Sequence, residues 1–287
     1  MIALWFTLVA LANPVDAIYD LWRAQTEGAV WRSPTQRERA TLQDAVDRLV
    51  RTAGSCPQDE IDEANARLAE HDFRATRISV AGFEGIAVSD GVERRGTGLL
   101  VIRCGIASPL AWQAPHSFYD LKTGGITRQL FVESGARLGF WNTIHRYRSR
   151  PDETEDDSVH PADVTREYGS SFHAMTAAAA MADTRLRFVQ IHGFAERAGG
   201  WDAIVSTGDA RRPPDPVAAA LAPLGKIGAF GSDTELLGAT ANVQGRALSR
   251  FNPPRFLHLE FSPDVRAVLD AQAESRALVI RAVGVPP

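Results

Sequence analysis

The feature that most restricts the fold is an alternation that begins near Thr97. Short apolar runs at 99–104, 110–114, 136–143, 187–194, 202–206 and 255–261 have the length and the β-branched or aromatic content of strands. Between and after them lie stretches with helical patterning at 125–134, 161–182 (alanine-rich), 213–221 and from Ser262 to about Val283. Strands alternating with helices predict an α/β fold of three layers, a mixed and mostly parallel sheet flanked by helices. With 287 residues, 45% of them hydrophobic, the chain is long enough to bury one large core. In open sheets of this kind ligands sit outside the carboxyl ends of the strands. The polar residues that end these runs are therefore the functional candidates.

The run at 110–114 breaks into Pro115-His116-Ser117-Phe118-Tyr119-Asp120, an imidazole and a carboxylate four positions apart. The run at 187–194 delivers His192, with Gly193 allowing a close backbone approach or a sharp turn. In the last run, alternation puts His258 and Glu260 on one face and Leu257, Leu259 and Phe261 on the other. His116, Asp120 and His192 supply the ligand set of a catalytic zinc that keeps one position open, one ion per chain. Such a metal lowers the pKa of a water and polarises a carbonyl. A carboxylate that is not a ligand must then move the water's proton to a leaving nitrogen, and Glu260 is the candidate. Arg146 and Arg128 are planar cations suited to a substrate carboxylate. His145, beside Arg146, is a competing ligand or a group that orients one.

The front of the chain holds few catalytic groups. Residues 18–72 read as a helical N-terminal portion, with a capping box of Thr35 and Glu38 ahead of Leu42, Ala45, Val46 and Leu49. A second helix is expected at 59–70, strands at 74–80 and 84–89, and a turn at Asp90-Gly91. Residues 1–17 fit a signal peptide, apolar from Ile2 to Ala12 and ending in small residues, although no Lys or Arg precedes the apolar run. Export to a periplasmic or secreted location is expected on that reading; the other reading is a buried N-terminal helix or strand. The run is short for a membrane span. Cys56 and Cys104 pair if the protein is exported, or remain buried thiols. The acidic run 152–157 reads as a solvated loop with His160 exposed beside it, His71 as a solvated helix end, and His173 as a packed or capping histidine. A net charge of −4 with no basic run gives nucleic-acid binding nothing to rest on.

The order of these parts resembles the zinc carboxypeptidase-like superfamily, nearest to N-formylglutamate amidohydrolases and phage-type poly-γ-glutamate hydrolases. The likeness rests on His116 and Asp120 in a loop after a strand, the turn Lys122-Thr123-Gly124-Gly125, the strand end Val189-Gln190-Ile191-His192-Gly193, and Leu257-His258-Leu259-Glu260. It spans roughly 99–266. It implies an eight-stranded mixed sheet between helices, one zinc held by His116, Asp120 and His192, Glu260 as general base, and hydrolysis of an amide bond. It also implies that Asn142 and Arg146 grip a substrate carboxylate. Two departures stand out: three residues separate His116 from Asp120, where carboxypeptidases have two before a glutamate, and Asn142 and Arg146 are four apart instead of adjacent.

Two other readings remain open at this point. One is an exported, non-catalytic binding protein whose strand-end polar groups hold a carboxylated or sugar ligand. The other is a metal-free hydrolase with His145 or His173 as base. No Gly-x-Ser-x-Gly elbow is present and neither cysteine lies in a nucleophile setting. The partner expected on the hydrolase reading is a small-molecule or peptide substrate.

Overall fold

A computed structural model describes residues 13–149, 160–195 and 200–284. The apolar run at 1–12 and the acidic stretch 152–157 lie outside the described residues. Three helices open the chain: α1 (Pro14–Thr26), α2 (Gln36–Arg51) and α3 (Gln58–Ala69). There follow β1 (Phe73–Val80), β2 (Phe83–Asp90), β3 (Leu99–Arg103), β4 (Ser108–Ala114), α4 (Thr123–Glu133), β5 (Ala136–Trp141), α5 (Ser171–Ala182) and β6 (Arg187–Gly193). The chain ends with β7 (Ala203–Ser206), α6 (Asp215–Leu221), β8 (Ile227–Ala229), α7 (Val243–Leu248), β9 (Phe256–Phe261), α8 (Pro263–Ala271) and α9 (Ala273–Gly284).

The strands form one mixed sheet in the order β1-β2-β3-β5-β4-β6-β9-β7-β8. That is nine strands among the described residues, one more than the family likeness implies. Its centre, β5-β4-β6-β9, is parallel, while β1, β2 and β3 meet their neighbours antiparallel and β7 runs antiparallel to β9. Alternation divides the side chains between two cores. Trp112, Val189, Ile191, Leu257 and Leu259 point to the layer of α4, α6, α8 and α9. Ala111, Phe188 and Phe256 point to the layer of α2 and α5. This second face is apolar where the central strands begin and turns polar toward their carboxyl ends, through Gln113, Gln190 and His258 to His192 and Glu260.

Local chemistry sets the element ends. The Thr35 hydroxyl accepts from the Glu38 amide at 3.2 Å and the Glu38 carboxylate accepts from the Thr35 amide at 2.6 Å, the expected capping box. Ser262 caps α8 with Pro263 at its first position. Asn13 caps α1, and Ile18 of that helix is fully buried. A boundary at residue 17 would fall inside α1.

Other expectations are corrected. The helix expected over 161–182 begins only at Ser171, because the Ser170 hydroxyl accepts from the His173 amide as an N-cap. Upstream, Asp163 accepts from the amide and hydroxyl of Thr165 and holds a turn that competes with helix. A short helix, α7, follows the strand run at 202–206 before the last strand, capped by Asn242. The last helix breaks at Gln272, where the backbone is extended. There the Arg276 guanidinium donates to the Leu269 and Asp270 carbonyls, so the end of α8 is satisfied without helical continuation. His160 is buried, its ring 4.8 Å from that of Tyr147. His71 is half-buried at the end of α3.

Cys56 and Cys104 are joined, their Cα atoms 5.7 Å apart, which ties the α2–α3 turn to the end of β3. The bridge closes 48 residues of chain, so its loss releases about 4 kcal/mol of unfolded-state entropy in the chain-entropy account. Urea unfolding of a Cys56→Ser, Cys104→Ser double variant is expected to show a midpoint lowered by the equivalent of roughly 2–4 kcal/mol. An unchanged midpoint would mean that the thiols are not linked in solution.

Candidate metal centre

The site lies where the sheet's connections diverge. After β4 the chain crosses through α4, on one face, to β5; after β5 it returns through α5, on the other face, to β6. Because β5 and β6 flank β4 on opposite sides, a crevice opens at the carboxyl ends of β4 and β6. The segment after β4 folds into one turn, with the His116 carbonyl accepting from the amides of Tyr119 (3.0 Å) and Asp120 (3.0 Å). That turn makes His116 and Asp120 neighbours despite the three residues between them. At the end of β6, His192 stands beside Glu260 of β9, and Gln190 beside His258, in parallel register.

These placements bring the expected ligands together. Asp120 Oδ2 lies 3.4 Å from His116 Nδ1 and 3.2 Å from His192 Nδ1, and accepts from the Gly193 amide at 3.1 Å. One donor atom from each of the three lies within 4.8 Å of the others, and all three residues are buried. Ligands 2.0–2.1 Å from a tetrahedral zinc stand roughly 3.3–3.4 Å apart. The donor set and its spacing fit a metal ion. A second group, His192, His258 and Glu260, overlaps the first through His192, with His258 Nε2 3.6 Å from Glu260 Oε1.

The far sides of both rings are also held. His116 Nε2 is 3.0 Å from Asp163 Oδ1, and His192 Nε2 is 3.2 Å from Gln190 Oε1. Each contact leaves Nδ1 turned toward Asp120, the carboxylate–histidine and carbonyl–histidine arrangement that orients metal ligands. Gln190 is itself fixed, accepting from Asn242 Nδ2 at 2.7 Å and donating to Gln113 Oε1 at 3.0 Å.

Charge follows from burial. Burial alone would lower the His116 imidazole, but Asp163 and Asp120 outweigh it and hold its pKa up at about 9. Burial would raise Asp120 and Asp163; the facing imidazoles, with Arg146 beside Asp163, instead keep both carboxyls well below the usual range. His192 and His258 are pushed down by burial and stay neutral. Two buried carboxylates thus attract positive charge to this point, which a proton on His116 supplies in the metal-free chain.

Of the expected substrate-binding residues, none lines the adjoining cleft. Arg146 reaches the site but is engaged there, paired with Asp163 Oδ2 and with Nη1 3.4 Å from His116 Nδ1. Arg128 packs against α1, over the rings of Tyr19 and Trp22. Asn142 is fully buried, its carbonyl accepting from Trp22 Nε1. His145 packs against Tyr119 and Tyr147, and His173 on α5 meets Tyr168; neither belongs to the ligand groups. The cleft of about 270 Å³ beside His192 and Glu260 is lined instead by Thr165, Arg166, Asn242 and His258. Arg166 is exposed and forms no ion pair among the described residues. Sequence reasoning missed Asp163, Thr165 and Arg166 because they fell inside an expected helix. The Gly169-Ser170 pair ahead of an alanine-rich run was the signal that the helix starts later.

No protein-family model matches this chain, and no curated protein matches it. Among solved structures it is similar to an N-formylglutamate amidohydrolase from Ralstonia eutropha JMP134, at 15% identity and a TM-score of 0.43, over 65% of this chain and 97% of that one. At that level the likeness bears on neither residue roles nor chemistry.

The electrostatics set a pH window for the metal-free protein. His116 is raised, so its contribution to stability is full below the unfolded histidine pKa and disappears as pH rises through about 9. Asp120 and Asp163 are depressed, so theirs is present above the ordinary carboxylate range and is lost as pH falls below it. Thermal melts of chelator-treated protein should lose stability on both sides, and His116→Gln should flatten the alkaline limb. An alkaline limb of equal steepness in the variant would place the titrating group elsewhere.

Proposed function

We propose that this protein is a zinc-dependent hydrolase that cleaves an amide bond in a carboxylate-bearing substrate, an N-acyl amino acid or a peptide. The observation that carries the reading is the convergence of His116 and His192 on Asp120 at distances that fit a tetrahedral ion, with Glu260 on the neighbouring strand beside His192. Zinc in such a site supplies Lewis acidity, which acidifies a water and polarises a carbonyl. His116 and His192 present Nδ1, and Asp120 a carboxylate oxygen, as its holders. Asp163 and Gln190 keep the two rings in that orientation. Glu260, at the wall of the cleft, takes the proton of the attacking water and returns it to the departing nitrogen. Arg166, with Thr165 and Asn242 in the same wall, replaces Arg146 and Arg128 as the group that holds the substrate carboxylate. The Cys56–Cys104 bridge is consistent with export to an oxidising compartment. No described helix is long and apolar enough to cross a membrane.

Metal analysis after reconstitution is expected to find about one zinc per chain, absent from His116→Ala and His192→Ala; no bound metal in the parent protein would favour a binding protein without catalysis. Glu260→Gln is expected to retain zinc and lose about 10²-fold or more in kcat, and an unchanged kcat would remove Glu260 from the reaction. Arg166→Ala should raise KM for carboxylate substrates by about tenfold or more, the scale of a lost charged hydrogen bond. If Arg166→Ala leaves KM unaltered, the carboxylate is held by another group. Because His116 carries a proton up to about pH 9 without metal, zinc binding at neutral pH should release protons. Calorimetry in buffers of different ionisation enthalpy reads this directly, and a buffer-independent heat would contradict it.

A further inference from the structure

A second cleft, larger and of different character, opens beside Asp120 and Gly193, whereas the first is lined by His192; the two share no lining residue. It encloses about 440 Å³, within the range of small-molecule sites. Asp120 and Gly193, the residue after His192, form its inner wall, and Tyr119, Leu121, Phe194 and Pro263 supply apolar surface. Tyr119 is 42% and Leu121 70% exposed, large side chains left open to solvent at the mouth of a candidate active site.

The cations in this wall are already engaged. Lys122 Nζ pairs with Asp270 at 2.6 Å. The Arg266 guanidinium donates from Nη1 to the Leu121 carbonyl at 2.8 Å and from Nη2 to the Phe194 carbonyl at 3.1 Å. The contrast with the first cleft is in kind: Arg166 there forms no ion pair among the described residues. A substrate whose carboxylate lies by Arg166 and whose amide lies at the ligands directs its acyl portion into the apolar cleft.

We infer that the substrate is an N-acyl amino acid with an apolar acyl chain of several carbons. This rests on the hydrolase reading above. A formyl or acetyl group would leave most of the second cleft unfilled. Each methylene buried there contributes about fourfold in kcat/KM.

The test is a series of N-acetyl-, N-butyryl-, N-hexanoyl- and N-octanoyl-glutamate with the zinc-reconstituted full chain. A kcat/KM that climbs about 10²-fold or more from acetyl to hexanoyl, with the hexanoyl-to-acetyl ratio collapsing in Leu121→Asp, supports the assignment. A flat or falling series overturns it while leaving the hydrolase reading intact. If no member is hydrolysed, calorimetric binding of the same compounds decides the cleft independently of the hydrolase reading. Tighter binding of the hexanoyl than of the acetyl compound, weakened in Leu121→Asp, supports the apolar site, and equal affinities overturn it. Leu121 bonds Arg266 through its main chain only, so the substitution keeps that brace.

Discussion

The Asp120 carboxylate, buried between two imidazoles, is the interaction on which the site depends. One oxygen faces His116 Nδ1, His192 Nδ1 and the Gly193 amide together. Unpaired, a buried carboxylate would cost several kcal/mol. Those imidazoles, His116 and His192, come from two strand ends 76 residues apart in sequence, so the contact forms only when β4 and β6 are in register. The fold and the charge balance therefore specify each other. Misregister of β6 by one residue would turn His192 to the opposite, apolar core and leave Asp120 without its partner.

The sheet builds a polar floor on one face only. From Phe188 and Phe256 the same face continues to Gln190 and His258 and then to His192 and Glu260. The amides between the apolar start and the ionisable end are joined: Gln113 donates to Thr176 at 2.8 Å and accepts from Gln190, and Gln244 donates to the Val164 carbonyl at 2.8 Å. These bonds satisfy groups that would otherwise be buried without partners, and they fix the acceptor that His192 Nε2 meets. A satisfied polar network of this kind resists rotamer change and so holds the His192 ring in place.

Much of this was legible in the sequence because strand periodicity is strict. His258 and Glu260 had to share a face, and runs ending in His116 and His192 had to deliver them to one edge if the strands were parallel. Chemistry at helix starts was equally readable, as Thr35 with Glu38 and Ser262 with Pro263 show. What was not legible depends on contacts between distant segments. Asp163 lies in a stretch whose alanine content continues a helical pattern, and its turn is held by Thr165 and by His116, 47 residues away. The choice among arginines was hidden for the same reason. Arg146, Arg128 and Arg166 are alike in sequence, and only packing decides that the first neutralises Asp163, the second stacks on α1 and the third faces a cleft.

Arg266 shows how the segments that carry Asp120 and His192 are kept at a fixed spacing. Its guanidinium spans the Leu121 carbonyl, one residue after Asp120, and the Phe194 carbonyl, two residues after His192. Gly193 is what lets it pass: a Cβ there would come within 2.5 Å of Nη1. The side chain is largely buried, and burial lowers its pKa while Asp120 and Glu260 act in the other direction. A planar fork that bridges two carbonyls sets their separation in a way a lysine ammonium cannot. Gly193, which the sequence suggested as a point of close backbone approach, has that role toward a side chain of α8. The geometry of the donor atoms thus rests on an arginine outside the donor set and on a glycine whose amide also meets Asp120.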